Sequence, residues 1–225
     1  MRFAHLSDTH LGFRQYGLYE RELDFYRSFD DTVKKIIAEK PDFVIHSGDL
    51  FDYPKPPPRA IRVAQKAFAR LNEKGIPVYA ITGNHDMLMR KGFMPAQVLY
   101  SELGVRLFTE DEPFVVKDGI FISGIPYMPR SRSSVIKEMM NMLSEKAKKH
   151  KKSVIALHLG TDRHLPHDFE VAVEDIPRNF DYYAMGHIHN RIVEKHGNGI
   201  LAYPGSSGLW SINEYDDWKL SLIHI

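Results

Sequence analysis

The stretch YYAMGHIHNR, residues Tyr182 to Arg191, places two histidines one residue apart directly behind a run of apolar residues. In an extended strand the side chains of residues i and i+2 leave the same face, whereas on a helix they point in nearly opposite directions. If Tyr182 to Gly186 forms a strand, His187 and His189 can therefore face one small volume. Neutral histidine is a common metal ligand near pH 7, so the pair predicts a metal site. Taken alone, the pair is also compatible with an ordinary strand edge.

The rest of the chain repeats this pattern of a short apolar run followed by polar residues. Five such runs predict buried strands: Phe3 to Leu6, Phe43 to His46, Val78 to Thr82, Val154 to Leu157 and Tyr182 to Met185. Segments with apolar residues at helical spacing, at 23–37 and 61–71, separate the first three runs. Strands that alternate with helices indicate an α/β sheet, parallel at least in its first half.

The second half of the chain adds antiparallel strands. Asp118-Gly119 lies between apolar stretches and predicts a hairpin, and a second hairpin is expected to turn near Gly197 to Gly199. A helix from about Ser133 to Lys151 is expected between the first hairpin and the fourth buried strand. The pattern therefore predicts α/β architecture with two mixed β-sheets packed face to face and helices outside, in a single domain over residues 1–225.

Composition limits the classes of protein that the chain can represent. With 225 residues, of which 43% are hydrophobic, it is long enough for one substantial core. It contains no cysteine, which excludes disulfides and thiolate metal sites, and its net charge of +1 favours no particular partner. Neither an apolar signal segment nor a run of about 18 apolar residues is present, so we expect a soluble, cytoplasmic protein without a membrane partner.

Polar clusters follow all five predicted strands: Ser7 to His10, Gly48 to Asp52, Gly83 to Asp86, Leu157 to Gly160 and Gly186 to His189. In α/β sheets, ligands bind just outside the carboxyl ends of the strands, so the clusters can converge. Seven oxygen and nitrogen donors suit two adjacent metal ions: Asp8, His10, Asp49, Asn84, His158, His187 and His189. Each cluster alone could be a turn or a helix cap, but five coincidences at five strand ends explain the pattern less well than one shared site.

The charge of such a site indicates its chemistry. Two divalent ions carry four positive charges, and Asp8 with Asp49 supplies only two negative ones, so the site would attract an anion. Metal pairs are suited to in-line displacement at phosphorus and activate water near neutral pH, which points to hydrolysis of a phosphate ester. His85 is adjacent to Asn84 and is expected to point toward substrate, where it could protonate the leaving oxygen, with Asp86 orienting the loop. A loop-capping role is the alternative for His85.

The ordered motifs D-x-H, G-D, G-N-H-D, H and G-H-x-H, spanning Asp8 to His189, resemble those of the calcineurin-like metallophosphoesterase superfamily. Within it, FAHLSDTHLG, SGDLFD, GNHD, YYAMGHIH and YPGSS are most similar to the SbcD and Mre-eleven type of nuclease, which acts in DNA double-strand-break repair. The resemblance implies a four-layer α/β/β/α sandwich that binds two divalent ions, usually Mn²⁺. It also implies a homodimer, DNA as substrate and a partner ATPase of the SMC-like SbcC type.

The resemblance further implies a division of the donors between the two ions. The first ion would be bound by Asp8, His10, Asp49 and His189, and Asp49 would bridge to a second ion bound by Asn84, His158 and His187. Two departures qualify this implication. Asp52 stands where the archaeal and eukaryotic branch often has a histidine, so the role of that histidine is not carried over to this chain. The chain also ends at KLSLIHI, so we expect residues 1–225 to lack the capping and ATPase-binding regions of the family.

The function expected from these observations is that of a manganese-dependent DNA phosphodiesterase, acting as exonuclease and also as endonuclease. A phosphatase or a cyclic-nucleotide phosphodiesterase of the same superfamily is the alternative within the same chemistry. A non-catalytic binding module that only retains the fold is the alternative from another class, and the complete set of seven donors with His85 argues against it.

Overall fold

A computed structural model of the protein describes residues 1–88, 90, 92, 94–208 and 221–224. Within these residues, the first sheet has five strands in the order β11-β1-β2-β3-β4. Four of them are parallel, namely β1 (Arg2–Leu6), β2 (Phe43–Ser47), β3 (Val78–Ile81) and β4 (Val105–Leu107), and β11 (Ser221–His224) pairs antiparallel with β1. The predicted parallel first half is therefore confirmed.

In the described part of the chain, the second sheet has six strands and is mixed, in the order β5-β6-β7-β8-β10-β9. Its strands are β5 (Phe114–Lys117), β6 (Ile120–Ile125), β7 (Lys152–His158), β8 (Tyr182–Gly186), β9 (Ile192–His196) and β10 (Gly199–Tyr203). Strands β6, β7, β8 and β10 are parallel, and each predicted hairpin forms an antiparallel pair, β5 with β6 and β9 with β10. The first hairpin turns through Asp118 and Gly119, whose φ angles of 50° and 81° suit a tight two-residue turn.

Helices cover the outer face of each sheet. Helices α1 (Tyr19–Glu39) and α2 (Pro58–Glu73) pack on the first sheet, and α3 (Ser133–Ala147) packs on the second. Pro58 is the first residue of α2, where its missing N–H removes no helical hydrogen bond. The helix α3 ends before the predicted Lys151, because the chain turns at residues 148–150 to begin β7 at Lys152.

The inner faces of the two sheets form a core that is rich in aromatic rings. Phe3 of β1 stacks on Phe43 of β2 with ring centroids 4.9 Å apart, and the Tyr182 ring of β8 meets Phe3 edge-on at 5.2 Å. Aromatic pairs prefer such offset and edge-on arrangements, which adds to the free energy of burial. The four-layer α/β/β/α sandwich expected from the sequence is thus confirmed.

Two strands were not predicted from the sequence. β4 has only three residues, of which Val105 alone is fully buried, and this is too short for a periodic signal. β11 has four residues and was likewise not recognised. No helix within the described residues is long and apolar enough to cross a lipid bilayer.

Candidate metal centre

The polar clusters lie in sharp turns at the carboxyl ends of β1, β2 and β8. Four of the seven predicted donors have positive φ angles, 53° for Asp8, 42° for His10, 54° for Asp49 and 91° for His187. Residues other than glycine rarely adopt positive φ angles. Those that do are enriched at functional sites, because the surrounding structure must stabilise the strained backbone. The backbone strain is therefore located at the donors themselves.

One group of donors combines both sheets. Asp8, His10 and His189 each offer an atom within 4.8 Å of the others. The Nε2 atoms of His10 and His189 are 3.1 Å apart, and His189 Nε2 is 3.9 Å from Asp8 Oδ1. Asp8 also accepts hydrogen bonds from the backbone N–H of His187 at 3.1 and 3.2 Å, which ties the turn after β1 to the turn after β8.

A second group lies around the amide oxygen of Asn84. This Oδ1 atom is 3.0 Å from His158 Nε2 and 3.0 Å from His187 Nδ1. The Asp49 carboxylate lies between the two groups, because its Oδ2 atom is 3.3 Å from His158 Nε2 and 3.8 Å from His10 Nε2. The structure thus brings all seven predicted donors together in two adjacent groups that share Asp49.

The chemistry of the donor set fits divalent cations. His158 Nδ1 donates a hydrogen bond to the carbonyl oxygen of Ser47 at 2.8 Å, so the neutral ring presents a lone pair at Nε2. Carboxylate, amide and imidazole donors are the ligands that Mn²⁺ accepts. Ring nitrogens and carboxylate oxygens that converge in this way bind a cation more readily than they form hydrogen bonds with one another.

Electrostatics within the site differ between the two histidines of the second group. Burial would lower the pKa of His158, but the Asp49 carboxylate raises this pKa to about 10. Burial, followed by the charge of His158, lowers the pKa of His187 to about 4. A cation at His158 Nε2 must therefore displace a proton, whereas His187 is already neutral near pH 7.

Glycines precede three of the donors because the turns pack too closely for a side chain. A Cβ atom at Gly83 would lie 2.1 Å from Asp49 Oδ1, and one at Gly186 would lie 2.1 Å from the Ser47 carbonyl oxygen. Both contacts are shorter than any real carbon–oxygen contact. The glycine of each motif is therefore required by the close approach of neighbouring turns.

The turn carrying Asn84 is fastened to the turn after β2 by Asp86. Its buried carboxylate accepts hydrogen bonds from the backbone N–H groups of Leu50 at 3.2 Å, Phe51 at 3.0 Å and Gly83 at 3.0 Å. Burial, followed by the charge of Asp49, raises the pKa of Asp86 to about 7. This geometry gives Asp86 the orienting role that the sequence suggested.

His85 lies beside the first group and is held at two points. Its backbone N–H donates to Asp49 Oδ1 at 2.9 Å, and its Nδ1 donates to the Asp52 carbonyl oxygen at 3.0 Å. Its side chain is 35% exposed, in contrast to the buried His10 and His158. The His85 ring is therefore oriented and accessible to a bound molecule.

Asp52 contributes more than the sequence indicated. Its buried Oδ1 is 3.3 Å from His10 Nδ1 and 3.7 Å from His85 Nδ1, so one carboxylate faces a predicted metal donor and the predicted acid. The sequence places Asp52 in the GDLFD motif but does not indicate what this residue does. The carbonyl oxygen of Ser47, which accepts the hydrogen bond from His158, could not be predicted from the sequence, because every residue has a backbone carbonyl group.

Two proteins that share one name are similar in sequence to almost the whole of this chain. The chain is 42% identical over 219 residues to the DNA double-strand break repair protein Mre11 of Methanocaldococcus jannaschii, covering 97% of this chain and 60% of the relative. It is 36% identical over 224 residues to the protein of the same name from Saccharolobus solfataricus, covering 97% of this chain and 58% of that relative. The chain therefore spans about 60% of the length of these relatives.

Solved structures share the fold at low sequence identity. The protein TT1561 of Thermus thermophilus superposes with a TM-score of 0.57 at 14% identity, covering 99% of this chain and 98% of the other. A dimetal phosphatase from Danio rerio gives a TM-score of 0.56 at 12% identity, covering 92% and 88% of the two chains. Residues 1–191 match the family model for calcineurin-like phosphoesterases, and with the site just described this places the chain in the calcineurin-like phosphoesterase family.

Proposed function

We propose that the protein is a manganese-dependent DNA phosphodiesterase, acting as exonuclease and endonuclease in the repair of double-strand breaks. The observation that carries the proposal is the convergence of seven donors in two groups sharing Asp49, with His85 beside them. The choice of DNA as substrate is supported by the names of the relatives, which describe DNA double-strand break repair proteins.

The donors that would bind one ion are Asp8, His10, Asp49 and His189, and those that would bind the second are Asp49, Asn84, His158 and His187. Ions in these positions would polarise a phosphoryl oxygen and activate water, which is the chemistry that such ions supply. Asp8 and Asp49 offset only part of the charge of two divalent ions, so the loaded site favours an anionic phosphodiester.

His85 would act as the general acid. Hydrolysis forms a bond from a water oxygen to phosphorus and breaks the bond from phosphorus to the leaving oxygen, which needs a proton. Because Nδ1 of His85 donates to the Asp52 carbonyl oxygen, Nε2 is the nitrogen that can exchange a proton with the substrate. The Asp52 carboxylate lies 3.7 Å from the other ring nitrogen, Nδ1.

Partners and context belong to the same proposal. A homodimer, an SMC-like ATPase of the SbcC type and a cytoplasmic location are proposed from the resemblance to repair nucleases. Residues 1–225 are proposed to form one catalytic domain, which spans about 60% of the length of the relatives.

Purified protein incubated with linear double-stranded and single-stranded DNA tests the proposal. We expect cleavage with Mn²⁺ and none with chelator, and digestion from ends and at internal positions is separated by end-labelled and circular substrates. The Asp49→Asn variant is the control for contaminating nucleases, because it removes the carboxylate shared by the two groups. Hydrolysis of small phosphodiesters without cleavage of any DNA would remove DNA as the substrate.

A parallel panel of phosphomonoesters and cyclic nucleotides tests the phosphatase and cyclic-nucleotide alternatives. Turnover of one of these far above that on DNA would establish the alternative. A protein that binds no metal in a Mn²⁺ titration and cleaves nothing would instead be the non-catalytic module.

A further inference from the structure

A cleft of about 450 Å³ opens beside His85. Three of the residues that line it belong to the site described above, and three others carry apolar rings; together they are Asp52, Asn84, His85, Phe13, Tyr53 and Pro54. The chemistry proposed for the site uses none of the three ring-bearing residues. They therefore call for a separate explanation.

The rings are presented by the same turns that carry the donors. Phe13 follows the predicted donor His10 in a tight turn, in which the Phe13 N–H donates to the His10 carbonyl oxygen at 3.0 Å. Its ring packs edge-on against the buried Phe25 at a centroid distance of 5.3 Å. Tyr53 directly follows Asp52 and is 51% exposed, so much of its surface is accessible to a bound molecule.

The charge of the cleft indicates what it can accept. Asp52, whose side chain is buried, is among the lining residues, and no lysine or arginine lines the cleft within the described part of the chain. A second phosphate group would find no lysine or arginine to pair with there, whereas a neutral planar ring would contact Phe13 and Tyr53. The volume lies in the range of small-molecule sites, roughly 300–1,000 Å³.

We propose that this cleft binds the nucleobase of the nucleotide attached to the leaving oxygen. This inference rests on the proposed function, because His85 would protonate that oxygen and also lines the cleft. The group bonded to the leaving oxygen then lies on the cleft side of the phosphate. In a nucleic acid this group is a nucleoside, whose base can stack on aromatic side chains irrespective of its identity.

Dinucleotides with a single phosphodiester bond test the inference. Three substrates are compared with Mn²⁺: thymidylyl-thymidine and its two analogues, in which one or the other nucleoside is replaced by an abasic tetrahydrofuran unit. Chromatography of the products against 3′-thymidylate and 5′-thymidylate standards shows which oxygen left. We expect kcat/KM to fall about 5- to 150-fold when the base on the leaving side is missing, the range for one lost stack. Loss of the other base should change kcat/KM less.

Variants of Tyr53 assign the effect to the cleft. Tyr53→Ala should reduce the ratio of kcat/KM between the parent dinucleotide and its leaving-side abasic analogue, and Tyr53→Phe should retain that ratio. Tyr16→Ala is the matched control, because Tyr16 is 84% exposed and does not line the cleft. A reduced ratio for Tyr53→Ala alone supports the inference.

Three results would overturn the inference. The first is equal kcat/KM with and without the leaving-side base, and the second is a loss confined to the other side. The third is an unchanged ratio in Tyr53→Ala. In each case metal-dependent DNA cleavage would leave the proposed function standing. Hydrolysis of bis(p-nitrophenyl) phosphate without any cleavage of dinucleotide or DNA would instead remove the proposed function and the inference together.

Discussion

At the scale of single residues, the two kinds of histidine in the site can be separated by experiment. His85 faces the cleft and contacts Asp52, whereas His189 Nε2 lies 3.1 Å from His10 Nε2 within a donor group. We expect His85→Ala to retain its metal content and to lower turnover roughly 10²- to 10⁴-fold, the usual range for lost acid–base catalysis. His189→Ala should instead lose one ion.

Metal content and turnover, measured on the same samples, distinguish these two effects. The His85→Ala protein should bind as much Mn²⁺ as the unaltered chain in a titration followed by calorimetry. Loss of an ion from His85→Ala would contradict the assignment and make His85 a ligand or a structural residue.

A third histidine, His5, lies outside the site and bears on the stability expected in acid. His5 is fully buried, with Nδ1 3.0 Å from the Tyr182 hydroxyl and Nε2 2.7 Å from Ser47 Oγ, which itself donates to the Met185 carbonyl oxygen. The neutral ring thus accepts from Tyr182 and donates to Ser47, and protonation would remove the acceptor. Burial, followed by the charge of His46, lowers the pKa of His5 to about 3.

We expect this lowered pKa to destabilise the fold in acid. Between pH 6.5 and about 3 the unfolded chain binds a proton at His5 that the folded chain does not, so the contribution to stability is complete above pH 6.5. It should fall by up to about 1.4 kcal/mol per pH unit as the pH drops through this window.

Urea unfolding at pH 7.5, 6.0 and 5.0 measures the slope. His5→Gln should be less stable at pH 7.5, because a buried hydrogen bond is weakened, yet should lose less stability on acidification. His46 is also buried with a pKa lowered to about 4, so some acid sensitivity remains in the variant. Identical slopes in the two proteins would contradict the assignment.

At the scale of elements, the contact between the ends of β2 and β8 controls the second donor group. The Ser47 carbonyl oxygen at the end of β2 orients His158, and a Cβ atom at Gly186 would lie 2.1 Å from that oxygen and 2.8 Å from His158 Nδ1. Gly186→Ala should therefore separate the two turns and weaken binding of the second ion by 10-fold or more, the order found for lost supporting contacts.

Gly75→Ala is the matched control for general backbone strain. Gly75 follows α2 with a φ of +68° and has nothing within 4 Å of its added Cβ. This variant should lose about 1 kcal/mol of stability through the left-handed backbone and keep full metal affinity. Equal metal affinity of the two variants in a Mn²⁺ titration would show that the contact at Gly186 does not position the donors.

At the scale of the whole molecule, bound ions should fasten the two sheets together. The donors Asp8, His10, Asp49 and Asn84 follow strands of the first sheet. In the second sheet, His158 ends β7, and His187 and His189 follow β8. A ligand that binds only the folded state at 100 times its Kd stabilises that state by about 2.7 kcal/mol. For a chain of this size the Tm should rise by roughly 5 to 10 °C with saturating Mn²⁺.

Scanning calorimetry with and without Mn²⁺ tests this linkage. Asp49→Asn should lose most of the rise, because Asp49 lies between the two groups. Asp31→Asn is the control on an exposed carboxylate of α1 and should retain the rise. A Tm that does not respond to Mn²⁺ in the unaltered chain would show that the donors do not bind this ion.

Local patterns in the sequence determined the strands and the candidate donors. Each of the five apolar runs forms a buried strand. A short apolar run that is flanked by turn residues is typical of a strand buried in a sheet. His5 and His46 were correctly expected in the core, because they lie within such runs. The donors could be named because polar residues at the carboxyl ends of parallel strands meet at one edge of a sheet.

Only the tertiary structure decided how these parts are combined. The division of the donors around Asp49, the carboxylate of Asp52 between His10 and His85, and the link from His5 to Tyr182 join residues between 33 and 177 positions apart. The position of β10 between β8 and β9, and the addition of β11 to β1, were likewise set by long-range pairing. Such contacts depend on how strands pair and sheets pack across the whole chain. The residues next to each contact in sequence do not indicate which distant strand or sheet will be its partner.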